Sequence, residues 1–543
     1  MLLFFRVYVF VLLSWWSFSS SSVAAAKMTG SKREIVNFDF SWRHRLGVDP
    51  KKICASSPPE EGRNYGTGGI RFPNASSPEV CCSKCAEQSW CRCWGFNTEN
   101  HDCWVKSSGC DTFVENEERV SARIPSPPAH PKECDPDFDD STWDVVDAPH
   151  DMLIVQPFDP TANNKQAFIP RNVGWYRKHF HLPTEYANSS VWIYVEAAFH
   201  VADAWLNGVQ IAPTHKQGYT GFRLRLDNIS SVKYGEEKTN VLAIFVNAST
   251  GTGWWYEGGG LIRHNWLVSA APLHVAYDGA WIRVENISGG VDNGGGSFVA
   301  SSAYFVASVT IANDRGYAFE NVTTRVDIVD ASDQLVASGS SEAVSIGSRG
   351  EVTLSDVGIF VKDVNLWSVQ TPYLYSARIG IYDNVESATV PVDEVVIANV
   401  GARSVIFNPD SGMFLNGKHV KLRGMCDHEN FGGIGAAIAD RINLFRAQKL
   451  RSVGINSWRM AHGAPPPTRL EFMDRLGMLA IDENRDYGGR VGQGGPTDET
   501  ISDELSDMAD LVKRDRNHPS VVLWSTYLLS LFRFRPLFRR KTH

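Results

Sequence analysis

Residues 455–486 read "INSWRMAHGAPPPTRLEFMDRLGMLAIDENRD". The stretch "INSWRMAHG" (455–463) reads as a strand carrying Arg459 and His462 at its end, and a Pro-led segment with helical spacing follows to Gly477. An apolar run, Leu479–Ile481, then delivers Asp482 and Glu483. Strand, helix, strand is the unit of a parallel β/α fold, in which chemistry collects at the strand ends.

The same pattern extends on both sides. Upstream, "HVKLRGMCDHEN" (419–430) is a strand ending in polar groups, and "ADRINLFRAQKLRSVG" (439–454) places Ile442, Leu444, Phe445 and Leu450 at helical intervals before Gly454. Downstream, "TISDELSDMADLVKRDR" (500–516) predicts a helix and "SVVLWS" (520–525) a strand. Residues 401–525 are therefore expected to form four strands and three helices of a β/α barrel, about half of the eight strands and ~250 residues that a closed barrel needs.

Before residue 400 the period changes to two. Runs such as "GWYRKHFHL", "VWIYVEAAF", "DAWLNGVQI" and "NVLAIFV" lie between Gly, Asn and Pro signals, and Asn207-Gly208 is a hairpin turn. Residues 33–50 and 135–275 are expected to form a jelly-roll β-sandwich. Residues 276–400 carry further alternating runs, among them "FVASVTIAN" and "YSARIGIYD", and fit an immunoglobulin-like sandwich. The expected fold class is multidomain β plus α/β.

Between the two pieces of the first sandwich, residues 51–134 hold nine of the ten cysteines. Zinc is the alternative for Cys82-x-x-Cys85 and Cys91-x-Cys93, but a disulfide-stapled module suits an exported chain better. Export is suggested by residues 1–26, which have one Arg, an apolar core and small residues at 24–26, the outline of a signal peptide. A signal anchor is the alternative. Sequons at Asn74, Asn188, Asn228, Asn247, Asn286 and Asn321 agree with a secreted or endomembrane-lumen location. A net charge of −8 over 543 residues, without a basic stripe, argues against nucleic acid. The tail 526–543 is basic, and its apolar part is too short to span a bilayer at ~20 residues, so membrane contact is not expected.

Taken together, "DDSTWDVVDAPHD", "GWYRKHF", "ADAWLNGV", "GYTGFR", "LWSVQTPYLY", "FLNGKHVKLRGMCDHEN", "GINSWRMAH" and "RNHPSVVLWS" resemble glycoside hydrolase family 2, nearest its β-galactosidase branch. The cysteine-rich stretch is similar to the apple/PAN module, which implies pairing of Cys82 with Cys103 and Cys85 with Cys91. The family resemblance implies a carbohydrate partner, a β-galactoside, and retaining hydrolysis by two carboxyl groups roughly 5.5 Å apart. It also implies substrate-binding roles for Asp427, His428, Glu429, Arg459, His462, Asp482 and Glu483, with Arg459 orienting a carboxylate. Gly463 departs from the family, many of whose members place an aromatic there. Trp254, Trp255 and Tyr256 would lean over the barrel mouth, either on sugar or as packing between domains.

In the family, the acid/base glutamate follows "RNHPSVVLWS" through a short Gly-containing step, and the nucleophile lies on a later strand. Here "TYLL" follows Ser525, so this chain is expected to lack both carboxylates and to be inactive. The alternatives are a non-catalytic carbohydrate- or glycoprotein-binding protein, with the cysteine-rich module touching the glycoprotein, and an unstable fragment. Polar residues at strand ends can also simply satisfy one another. His428, His462 and the acids specify no metal geometry, and no metal or cofactor is expected.

Overall fold

The structure is a computed structural model that describes residues 33–46, 131–249, 253, 255–292, 298–383, 390–485 and 498–526, together with the strands Glu60–Asn64, Ile70–Phe72, Cys93–Asn97, Cys103–Lys106 and Val114–Arg123 and the single residue Cys81. It is mostly β-sheet.

In the first unit, a four-stranded antiparallel sheet runs in the order Glu34–Asn37, Asn265–Ala270, Ser190–Val195, Phe222–Arg225. A six-stranded sheet covers it, with Val173–Phe180 and Asn240–Asn247 at its centre. Alternate side chains of the two sheets, including Trp42, Tyr176, Ile193, Leu224 and Ile244, meet in one core. Asn207 and Gly208 both have positive φ, as a two-residue hairpin requires, and Leu206 pairs with Val209 across the turn.

Strand Trp42–Leu46 pairs directly with Asp144–Val146, Trp42 opposite Val146. The chain between them forms its own five-stranded sheet, ordered Glu60–Asn64, Val114–Arg123, Cys93–Asn97, Cys103–Lys106, Ile70–Phe72. Cys103 is bonded to Cys81, which corrects the expected pairing with Cys82. The Cys81 and Cys103 Cα atoms lie 5.3 Å apart, within the span that a disulfide bridges. Cys82, Cys85 and Cys91 lie outside the described residues, as do Asn74 and Trp254.

The second β unit packs Leu273–Ser288, Phe298–Asn313 and Glu351–Asn365 against the sheet of Phe319–Val329, Tyr375–Asp383 and Asp393–Val400. Phe305, Val309, Ile328, Ile359 and Ile379 fill the space between.

The α/β unit follows the periodicity of its sequence: β1 (Gly424–Asp427), α1 (Asp440–Ser452), β2 (Ser457–Met460), α2 (Pro467–Leu476), β3 (Leu479–Glu483), α3 (Asp498–Asp515) and β4 (Val521–Ser525). The strands are parallel and ordered β1-β2-β3-β4, and among the described residues they do not close into a barrel. Trp458, Met460, Leu470, Met473 and Ala480 form the core beneath the helices. Pro467 starts α2 where a missing N–H costs nothing, and Gly477 ends it at φ +65°.

The loop between α3 and β4 joins the α/β unit to the second β unit. Asn517 accepts from the Ile282 N–H and donates to the Ala280 carbonyl, both at 2.9 Å, while Arg516 donates to the Asp278 carbonyl at 2.7 Å. His518 sits 2.6 Å from the Asp474 carboxylate on α2.

Candidate active site

The C-terminal ends of β1, β2 and β3 bring most of the expected residues together. At their centre is Glu483, whose side chain is buried. Arg459 donates to both of its oxygens (2.7 and 2.8 Å), His462 Nδ1 lies 2.7 Å away, and the Ser525 hydroxyl donates at 2.9 Å. Burial would raise the Glu483 carboxyl, but the bonds from His462, Arg459 and Ser525 outweigh it and hold the group below its ordinary range. Glu483 is therefore a fixed anion that orients a guanidinium and an imidazole.

His428 stands beside this network, its ring 5.4 Å from that of His462. Trp255, from the first β unit, stacks on His428 at 4.6 Å with 9° between the planes, and also meets His462 at 5.2 Å. Burial, then the neighbouring His462, push the His428 imidazole below its usual pKa, against a hydrogen bond to the Ala461 backbone, and so favour its neutral form. Trp255 is only 6% exposed, so its ring serves as a wall for the two histidines rather than an open platform. Tyr256 turns away: its hydroxyl donates to Asp151 (2.9 and 3.0 Å), which also accepts from the Ala436 N–H at 2.8 Å. Tyr256 and Asp151 thus tie the loop to the α/β unit.

Three expected binding residues take other roles. Glu429 is buried in a two-point ion pair with Arg469 (2.5 and 3.2 Å). Arg469 also donates to Asn443 at 2.9 Å and lies 4.7 Å over Trp458. Asp482 precedes Glu483 on β3, so its side chain points to the opposite face. There it is fully buried facing Asp515, and burial first, then the Asp515 charge, raise it well above the carboxylate range. It cannot reach a ligand at the mouth. Asp427 is partly exposed but is paired with Arg446 and accepts from Trp458 Nε1 at 2.8 Å.

The departure at Gly463 has a steric cause. A Cβ there would meet the Tyr219 ring at 2.7 Å, because this buried tyrosine fills the space. Sequence reasoning missed Tyr219, Ser525, Asp151 and Arg469. Only Arg469 carried a signal: it shares the inward face of α2 with Met473, where a cation needs a partner.

Among the described residues no group of His, Cys, Asp and Glu is placed to hold a metal ion, and no helix is long and apolar enough to cross a membrane. Sequon residues Asn188, Asn228, Asn286 and Asn321 are exposed, whereas Asn247 is half-buried and accepts from Ser249.

Comparison with known proteins places these features in a group. Residues 408–527 match the TIM barrel domain of glycosyl hydrolases family 2, and residues 138–252 match the second all-beta domain of beta-galactosidase. The beta-galactosidase BoGH2A of Bacteroides ovatus is 30% identical over 402 residues, covering 72% of this chain and 44% of that protein. A beta-glucuronidase of Formosa agariphila is 28% identical over 424 residues, covering 73% and 40%. The crystal structure of a glycosyl hydrolase family 2 member from Bacteroides cellulosilyticus superposes with a TM-score of 0.63 at 29% identity, over 73% of this chain and 50% of that one. The chain spans less than half the length of the two curated relatives.

Proposed function

On the premise that this chain carries a family 2 glycoside hydrolase barrel domain, we propose that it binds a β-galactoside-like sugar at the ends of β1 to β3 and does not itself hydrolyse it. The observation that carries the binding reading is the Trp255, His428 and His462 cluster held against the Arg459–Glu483 pair. His462, fixed by Glu483, would meet a sugar hydroxyl, with His428 and Trp255 forming the wall beside it. Arg459, about a third exposed, is aligned by Glu483 to hold an anionic group in place.

Retaining hydrolysis needs one carboxyl free to trade a proton and another free to attack. Against turnover stands the engagement of the carboxylates at the ends of β1 and β3 among the described residues: Glu483 receives three groups, Glu429 is bound to Arg469, Asp427 is paired with Arg446, and Asp482 faces the interior. An exported chain with glycans on the exposed sequons, and a glycoprotein contact through residues 51–134, belong to the same proposal. The exposure of Asn188, Asn228, Asn286 and Asn321 supports the glycan part.

The test is calorimetric titration of the full chain with a β-galactoside, beside turnover of aryl β-galactosides and aryl β-glucuronides. We expect binding that His462→Ala removes, and turnover equal to blank. Turnover that copurifies with the chain overturns the second half, and absence of binding overturns the first.

A further inference from the structure

A second cleft lies away from the mouth, where the outer face of the four-stranded sheet meets the bulge between Val275 and Ala280 in the first strand of the second β unit and the last turns of α3. Its volume is about 480 Å³, within the ~300–1,000 Å³ range of small-ligand sites. Because α3 begins on the mouth side and runs away from it, its last turns mark the opposite end of the unit. We infer that this cleft binds a short neutral oligosaccharide, using Arg223, Asp278, Asp510 and Lys513 on its hydroxyls and the Trp192 and Tyr277 rings as walls.

Unspent polar groups support this. Arg223, Asp278, Asp510 and Lys513 all line the cleft, Asp510 and Lys513 one turn apart on α3, and among the described residues no side-chain hydrogen bond or ion pair engages any of the four. They are close enough to feel one another: Lys513 and Arg223 both pull on the Asp510 carboxyl, which burial nonetheless raises. Two cations and two acids lining one cleft suit a ligand whose groups both donate and accept. Sugar hydroxyls do so, and the balance of charge favours a neutral chain over a uronate.

The aromatic walls fit the same ligand. Arg223 lies 4.8 Å over the Tyr277 ring, and Tyr277 packs against Tyr194 at 4.9 Å, so the ring is held rigidly at the cleft wall. The Trp192 indole N–H is buried without a hydrogen-bond partner, a donor that a bound hydroxyl would satisfy. Neighbouring cations are already used: Arg225 is paired with Asp227 and Asp314, and Arg514 with Asp515.

The experiment titrates the full chain with a β-linked galactotetraose, and separately with an oligogalacturonate, by calorimetry. Arg223→Ala and Asp510→Ala both replace exposed side chains, and circular dichroism checks that the variants keep the fold. We expect two binding events for the neutral oligosaccharide, one of them weakened about fivefold or more by either substitution. The other event, at the mouth, stays as in the parent. Identical titrations of parent and variants overturn the inference, as does a single event insensitive to both. A preference for the anionic probe at the cleft overturns it too. None of these results bears on the mouth, whose reading falls only with the loss of the event that His462→Ala removes.

Discussion

Replacing Arg469 by Met removes the cation that holds the end of β1. Arg469 is wholly buried, and its loss leaves the Glu429 carboxylate, 6% exposed, without both of its charge-assisted bonds. It also leaves Asn443 Oδ1 without its 2.9 Å donor. An uncompensated buried charge costs about 3–5 kcal/mol when one partner of a buried pair is removed. The chain has several cores and need not unfold in one step, so the readout is hydrogen exchange of β1, α1 and α2 rather than a global midpoint. The expected result is a fall of that size in the opening free energy of these elements, with little change in the second β unit. The double variant Arg469→Met, Glu429→Leu should recover most of the loss, since an apolar pair can fill the same volume. A loss below about 1 kcal/mol in the single variant, typical of an exposed pair, would refute the reasoning.

Gly463→Ala forces a methyl to 2.7 Å from the Tyr219 ring and should cost about 1–3 kcal/mol, read from thermal denaturation of the α/β unit. Ser525→Ala removes the hydroxyl bond to Glu483 and should destabilise β4 by about 1.5–3 kcal/mol, measured by hydrogen exchange at 521–525. His264 lies 2.6 Å from Asp39 and 3.1 Å from Asp440; burial opposes its charge, but these acids raise its pKa to about 11. The folded state therefore holds a proton that the unfolded chain releases near pH 6.5. This stabilisation is complete below that pH and lost as pH rises toward 11. Denaturation midpoints should fall over this window in the parent and flatten in His264→Ala; equal slopes would sink the assignment.

How far the sequence was legible depended on the range of the interaction. Strand and helix periods are local, so the seven elements from β1 to β4 could be read directly, as could the turn at Asn207-Gly208. Parity was readable but not applied. Asp482 and Glu483 were taken together as ligands, although neighbours on a strand face opposite ways, and only Glu483 reaches the mouth. Pairing across distance was not readable: nothing near Glu429 announces Arg469 forty positions later, and nothing near Gly463 announces Tyr219. The motif ending in β4 was read for the chemistry expected after it. Its Arg516 and Asn517 instead fasten the α/β unit to the second β unit, while His518 ties the loop back to α2.

The direct pairing of Trp42–Leu46 with Asp144–Val146 bears on how the cysteine-rich sheet is carried. Those strands belong to the host whether or not anything is folded between them, so the segment acts thermodynamically as a long loop on a hairpin. Closure entropy grows only with the logarithm of length, about 0.6 kcal/mol per doubling, so a loop of this size burdens the host far less than its bulk suggests. Any order within the segment shortens the effective loop further, and the Cys81–Cys103 bond does so covalently. The segment's return is nevertheless part of the host, since Cys134 packs against Trp205 and Ala243 and Arg177 holds Asp140 and the Asp135 carbonyl, so only the residues before it behave as a loop.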